Sequence, residues 1–222
     1  MKIVHTSDWH VGKTLRNRSR HEEHQAVLSE IAGIVRDEGA DVVIVAGDLF
    51  DSAAPSPEAE RLVYKALLDL SSTGATVAVL AGNHDSERRL QAVQPLLELG
   101  SVVARPLPAA DATLRIEARS GEVAMLGMLP WVGKHHVVRA EQLMELDGAQ
   151  TQQEYWQRVA AMISRVCQPM GPDTVNLLAA HLTIVGADPG EEVRQAHLFD
   201  YAVPATVFPA SLHYVALGHF HT

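Results

Sequence analysis

Apolar and polar residues alternate in blocks along this chain. Lys2 to Thr6 forms a short strand-like run that passes straight into Ser7-Asp8-Trp9-His10-Val11-Gly12-Lys13. Leu15 to Arg20 reads as a polar, basic loop carrying Arg16, Arg18 and Arg20. The helix that follows has capping-box spacing at Ser19 and Glu22, and an apolar stripe of Val27, Leu28, Ile31, Ile34 and Val35 that Gly39 stops. Val42–Ala46 is an unbroken, mostly β-branched run, the mark of a strand buried on both faces, and it ends at Gly47-Asp48. After a loop through Pro55, Ser56-Pro57 suits the N-cap and first turn of a second helix, with Leu62, Val63, Ala66, Leu67 and Leu70 on its apolar face. Gly74 ends that element. Ala75 to Ala81 is a third strand leading into Gly82-Asn83-His84-Asp85, and a further amphipathic helix covers Ser86 to Leu99.

Strand–helix–strand–helix–strand with short links is the signature of right-handed βαβ units and a mostly parallel sheet. Ser101–Ala104, Thr113–Ala118 and Val123–Met128 then follow as strands without helices between them, which suggests a second, mixed or antiparallel sheet. A helix over Gln152–Cys167 places Tyr155, Val159, Met162, Ile163 and Val166 on one face. Thr174–Ala180 is another buried strand, ending at His181. Beyond a loop rich in Gly, Pro and acids, Gly186 to Glu192, His213–Leu217 runs into Gly218-His219-Phe220-His221. The expected architecture is one α/β domain of two sheets packed together between helices.

Composition fits one well-buried domain: 222 residues, 47% hydrophobic and 20% charged. A net charge of -9 argues against gripping nucleic acid by bulk electrostatics, while leaving room for a nucleic acid handled locally or with a basic partner's help. The single cysteine, Cys167, excludes an internal disulfide and fits a reducing cytoplasm. The N-terminus enters a strand with no signal-peptide pattern, and no apolar run reaches membrane-span length. Histidine is over-represented, with twelve residues, many near Asp, Asn or Gly. Without cysteine clusters, that enrichment points to a metal or acid–base site.

The polar residues that follow the apolar runs supply the chemistry. Asp8 and His10, Asp48, Asn83 and His84, His181, and His219 and His221 all sit where the chain leaves an expected strand. That is the edge at which open α/β sheets build their sites. Taken alone, Asp48 is a plausible loop cap; taken together, the set suits two divalent ions. Asp8, His10, Asp48 and His221 suit one ion, and Asp48, Asn83, His181 and His219 the other, with Asp48 bridging. Imidazole, carboxylate and amide donors without thiolate favour Mn, Fe or Zn over Ca. Two such ions clamp the attacking and leaving oxygens of an in-line displacement at phosphorus. His84 is left over from both sets and is free to stabilise the transition state or protonate the leaving alkoxide. Asp85 is placed to orient that imidazole, and capping of the next helix explains it equally well.

Asp8-x-His10, Gly47-Asp48-x-x-Asp51, Gly82-Asn83-His84-Asp85, the strand-end His181 and Gly218-His219-x-His221 resemble the calcineurin-like metallophosphoesterase superfamily. Ser7 to Lys13, Arg20 to Gln25, Val45 to Asp51 and His181 to Ala187 are similar to its SbcD-type branch, the nuclease subunits of bacterial SbcCD complexes. The resemblance spans nearly the whole chain. It implies a four-layer α/β/β/α sandwich with two mixed sheets flanked by helices, two divalent ions with Mn2+ favoured, and the ligand sets given above. It also implies hydrolysis of DNA phosphodiesters through a two-metal-bound hydroxide, as a duplex exonuclease and single-strand or hairpin endonuclease. The implied partners are DNA, a second copy of the chain and an SbcC-type ATPase with long coiled coils, in a heterotetramer. Chains of this branch continue past Gly-His-x-His into further strands and a capping domain. Residues 1–222 are therefore read as the nuclease domain without its C-terminal cap. A small-molecule or cyclic-nucleotide phosphodiesterase of the same superfamily is the alternative. Arg16, Arg18, Arg20 and Lys134 are expected as solvated loop charges rather than phosphate contacts. His5, His21, His24, His135, His136, His197 and His213 fall outside the motifs.

Overall fold

The computed structural model describes residues 1–133, 148–186 and 202–219. Lys134, His135, His136, His197, His221 and all of the Gly186–Glu192 loop except Gly186 lie outside the described residues. In chain order the elements begin with β1 (Ile3–Thr6), β2 (Thr14–Leu15), β3 (Arg18–Ser19), α1 (His21–Glu38), β4 (Val42–Val45), α2 (Pro57–Ser71), β5 (Thr76–Leu80) and α3 (Glu87–Leu99). They continue with β6 (Val102–Arg105), β7 (Thr113–Glu117), β8 (Val123–Leu129), α4 (Gly148–Cys167), β9 (Val175–His181), β10 (Thr183–Ile184), β11 (Ala202–Val203) and β12 (Tyr214–Gly218).

The first sheet has the order β1-β4-β5-β6 and is parallel throughout. All four β4 residues are fully buried, and alternation along the strand assigns them to two different cores. Val43 and Val45 pack with Leu28 and Val35 of α1 and Leu67 of α2. Val42 and Ile44 pack with Leu126, Leu177 and the α4 side. The second sheet has the order β12-β9-β8-β7, with β7–β8 antiparallel and the other pairs parallel. A Cβ on Gly127 would lie 3.1 Å from Val166 and 3.2 Å from Leu178, so that face looks at α4. Alternation then turns Leu177, Ala179 and His181 toward the first sheet. The layers are thus helices α1–α3, first sheet, second sheet and α4, the four-layer sandwich expected.

Several local expectations change. Leu15–Arg20 is not a loop but part of the antiparallel β2–β3 hairpin, turned by Arg16 (φ 49°) and Asn17 (φ 61°). Two left-handed residues are what a type I′ turn requires. The Ser19–Glu22 capping box is absent: α1 starts after Arg20, which makes no side-chain cap, and Ser19 Oγ accepts the His21 N–H at 3.2 Å. Gly39 ends α1 in the left-handed region as expected, but Val27 and Ile34 are exposed and Ala32 takes the inward position. Ser56 does cap α2, accepting the Ala59 N–H. The strand after α3 belongs to the first sheet, because β5–α3–β6 is itself another βαβ unit. β10 and β11 pair in parallel and had no signal in the sequence. Among the described residues no helix is long and apolar enough to cross a membrane.

Candidate metal centre

β1, β4, β5, β9 and β12 all release their functional residues at the same edge of the sandwich, and hydrogen bonds lace the exits together. Asp8 N–H donates to Gly47 O (3.0 Å), His10 N–H to Asp48 O (3.1 Å), Val11 N–H to Leu49 O (3.0 Å) and Asp51 N–H to Val11 O (3.2 Å). The turns that aim the side chains inward are unusual. Asp8 (φ 55°), His10 (φ 43°), Asp48 (φ 52°) and His219 (φ 102°) all occupy the left-handed region. Such backbone costs about 1–3 kcal/mol per residue and concentrates at functional sites. Gly47 (φ 100°) has a second constraint: a Cβ there would run into His181 Nδ1 and lie 2.8 Å from its Cγ.

Asp48, 1% exposed, belongs to two donor groups at once. One is His10, Asp48 and His84; the other is Asp48, His181 and His219. In each group the ligating atoms lie within 4.8 Å of one another. Asp48 Oδ2 is 3.7 Å from His10 Nε2 and 3.5 Å from His181 Nε2. Asn83 joins the second group, its Oδ1 lying 3.0 Å from His181 Nε2. Asp8 sits at the same edge, its carboxylate accepting the His219 N–H (3.1 Å) and the Ser7 hydroxyl.

The donor chemistry requires a cation. His181 Nδ1 lies 2.7 Å from Ala46 O, a carbonyl that only accepts, so Nδ1 carries hydrogen. In the neutral ring, Nε2 then presents a lone pair to two further acceptors, Asn83 Oδ1 and Asp48 Oδ2. A proton or a metal must sit among them. Burial disfavours charge on His181, but its hydrogen bond to Asp48 and that carboxylate's charge outweigh burial and raise its pKa. Burial also opposes ionisation of Asp48, yet His181 and the His84 N–H (2.8 Å) hold it down to about 2. Burial, reinforced by the His181 charge, lowers His219 to about 4, leaving a neutral imidazole fit to ligate.

His84 lies edge-on to His10, ring centroids 4.7 Å apart at 88°, within ligand distance of Asp48. It was expected to stand apart from both ligand sets; the geometry makes it a neighbour of one. Its Nδ1 meets the Asp51 carbonyl at 2.9 Å, which leaves Nε2 for chemistry. Asp85 does not take the imidazole-orienting position expected of it. Its buried carboxylate accepts N–H bonds from Gly82 (2.8 Å), Leu49 (3.2 Å) and Phe50 (3.0 Å), stitching the Asn83 turn to the Asp48 turn. Burial pushes it up to about 6 against those three donors. It caps no helix either, since Ser86 caps α3. Two contributors lacked any sequence signal of their role. Asp51 faces His10 through its carboxylate and His84 through its carbonyl. Trp131 lies over the second donor group, 4.9 Å from His219 and 6.0 Å from His181. His221, expected in the first ligand set, lies outside the described residues.

The model of the calcineurin-like phosphoesterase family matches residues 1–222. Several relatives named as SbcD components of the nuclease SbcCD align with the whole chain. That of Bacillus subtilis (strain 168) is 34% identical, with 57% of its length covered. That of Rhodobacter capsulatus is 35% identical with 58% covered, and that of Escherichia coli (strain K12) 33% identical with 56% covered. The chain therefore spans a little over half the length of these relatives. A family match over every residue and a double donor group centred on Asp48 lead to one conclusion: the chain belongs to the calcineurin-like phosphoesterase family.

Proposed function

We propose that residues 1–222 are the catalytic domain of a DNA nuclease of the SbcCD type. It holds two Mn2+ ions and hydrolyses phosphodiester bonds as a duplex exonuclease and single-strand or hairpin endonuclease. The observation that carries this reading is Asp48, shared between two donor groups with His84 beside it. Asp8, His10, Asp48 and His221 hold one ion in this reading, and Asp48, Asn83, His181 and His219 the other. When bound, the ions supply Lewis acidity at phosphorus and make a water molecule a better nucleophile. Asp48 spaces the two positions, and the neutral imidazole of His219 offers a lone pair. His84, its Nδ1 held by the Asp51 carbonyl, uses Nε2 to stabilise the departing 3′ oxygen and protonate it.

DNA as substrate is supported by the β2–β3 hairpin, which brings Lys13, Arg16, Arg18 and Arg20 next to the His10 turn of an otherwise acidic chain. A homodimer is supported by Leu68, Leu96 and Leu99 on α2 and α3, exposed by 46%, 67% and 85%. An SbcC-type ATPase completes the proposed heterotetramer, and the lone, buried Cys167 accords with a cytoplasmic protein. The net charge of -9 favours the second reading, a small-molecule or cyclic-nucleotide phosphodiesterase. Mn-dependent assays on a linear DNA duplex, bis-p-nitrophenyl phosphate and a cyclic nucleotide separate the two. Cleavage of the duplex is the expected result. Turnover of the small esters alone, also when the full-length protein is assayed with its ATPase, would overturn the nuclease reading.

A further inference from the structure

We propose that Asp51 is a positioning residue that fixes the ring orientation and tautomer of His10, and through it one of the two ions. The inference rests on the metallophosphoesterase reading and extends it to a residue outside the ligand sets. Asp51 Oδ1 lies 3.6 Å from His10 Nδ1, while Asp48 Oδ2 lies 3.7 Å from Nε2 on the other side of the same ring. A neutral imidazole between two carboxylates has one N–H to give. Donated to Asp51, it leaves the Nε2 lone pair facing Asp48, the carboxylate common to both donor groups. Donated to Asp48, it would aim a hydrogen at the place an ion must occupy. Carboxylates behind metal-binding histidines set the tautomer in this way and raise ligand basicity. Metal-free hydrogen bonds of this kind run long and tighten when the site is filled.

The loop that carries Asp51 is fixed against the His10 turn. Val11 and Phe50 form a parallel bridge, and Asp51 N–H donates to Val11 O. The His10 side chain is 6% exposed and packs edge-on against His84, so the ring has little room to turn elsewhere. Asp51 serves His84 differently, through its backbone carbonyl. Substitution therefore separates the two roles: the carbonyl persists in every variant, and only the carboxylate is lost.

The test is an Mn2+ titration of wild type, Asp51→Ala and Asp51→Asn, following free Mn2+ by electron paramagnetic resonance. Wild type should bind two ions. Asp51→Ala should weaken one of them roughly 10- to 100-fold and leave the other unchanged. Asp51→Asn, whose amide oxygen accepts the same N–H, should shift less, and it keeps the test open if the alanine variant folds poorly. Because His84 keeps its carbonyl partner, cleavage by Asp51→Ala should recover at saturating Mn2+. Isotherms identical to wild type would overturn the inference alone, as would equal weakening of both ions. A wild-type chain that binds no Mn2+ would overturn the metallophosphoesterase reading and the inference with it.

Discussion

Gly47→Ala is the substitution whose cost the structure lets one add up. The residue has φ 100°, where an L side chain is strained by about 1–2 kcal/mol. Its Cβ would also collide with the His181 ring, lying 2.8 Å from Cγ and closer still to Nδ1. His181 is fully buried and held by Ala46 O at 2.7 Å, so it cannot move aside without giving up that bond. Leaving those buried polar groups unpaired costs about 1–3 kcal/mol more. The sum, roughly 2–5 kcal/mol, is a large part of the 5–15 kcal/mol that typically holds a domain folded. At about 2–4 °C per kcal/mol for a chain of this size, the metal-free variant should melt on the order of 10 °C below wild type. Thermal unfolding in EDTA reads this directly. Gly33→Ala is the control: nothing lies within 4 Å of its Cβ on α1, and it should gain about 0.5–1 kcal/mol through helix propensity. If Gly47→Ala melts within about 2 °C of wild type, less than one kcal/mol is at stake and the close approach of Gly47 to His181 is wrong.

Two further outcomes follow from the site. His84→Gln should bind Mn2+ within a few-fold of wild type but cleave about 10²–10⁴ times more slowly, the usual worth of a general acid; normal cleavage would remove His84 from the chemistry. The second concerns pH. Asp85, 8% exposed, has its folded pKa raised to about 6 from 3.8, so the folded chain binds more protons than the unfolded one between those values. Its contribution to stability therefore grows as pH falls from above 6 to below 4, by up to about 3 kcal/mol, while Asp48, held to about 2, loses its contribution only as pH drops through the unfolded value of 3.8 toward 2. Denaturant melts of wild type and Asp85→Asn in EDTA between pH 4 and 6.5 should show that slope in wild type and a flatter one in the variant; equal slopes would refute it.

The strands that aim the site were legible because burial on both faces leaves an unbroken β-branched run, as in Val42–Val45. The strand-end chemistry was legible because each run closes on Gly, Asp, Asn or His. The missing parts depend on contacts between segments far apart in the chain. Asp85 looks like a partner for its neighbour His84, but its oxygens go to Leu49 and Phe50 across the sheet, and Asp51 supplies the imidazole's partner with a backbone atom no side-chain pattern encodes. Trp131 follows a strand with no motif around it, and only the meeting of the segments after β8 and β12 brings its ring over His219. The left-handed turns at Asp8 and His10 were equally silent, since neither residue type announces positive φ as glycine does. Strand β6 was assigned to the wrong sheet because the strands after it lack helices and drew it into their group.

The central claim is that one carboxylate, Asp48, holds two ions together. Mn2+ stoichiometry of Asp48→Ala beside wild type, measured by calorimetry at matched concentrations, tests it most directly. Two ions bound by wild type and the loss of both tight sites in the variant are the predicted result. An Asp48→Ala chain that keeps one tight site at wild-type affinity would contradict the shared centre.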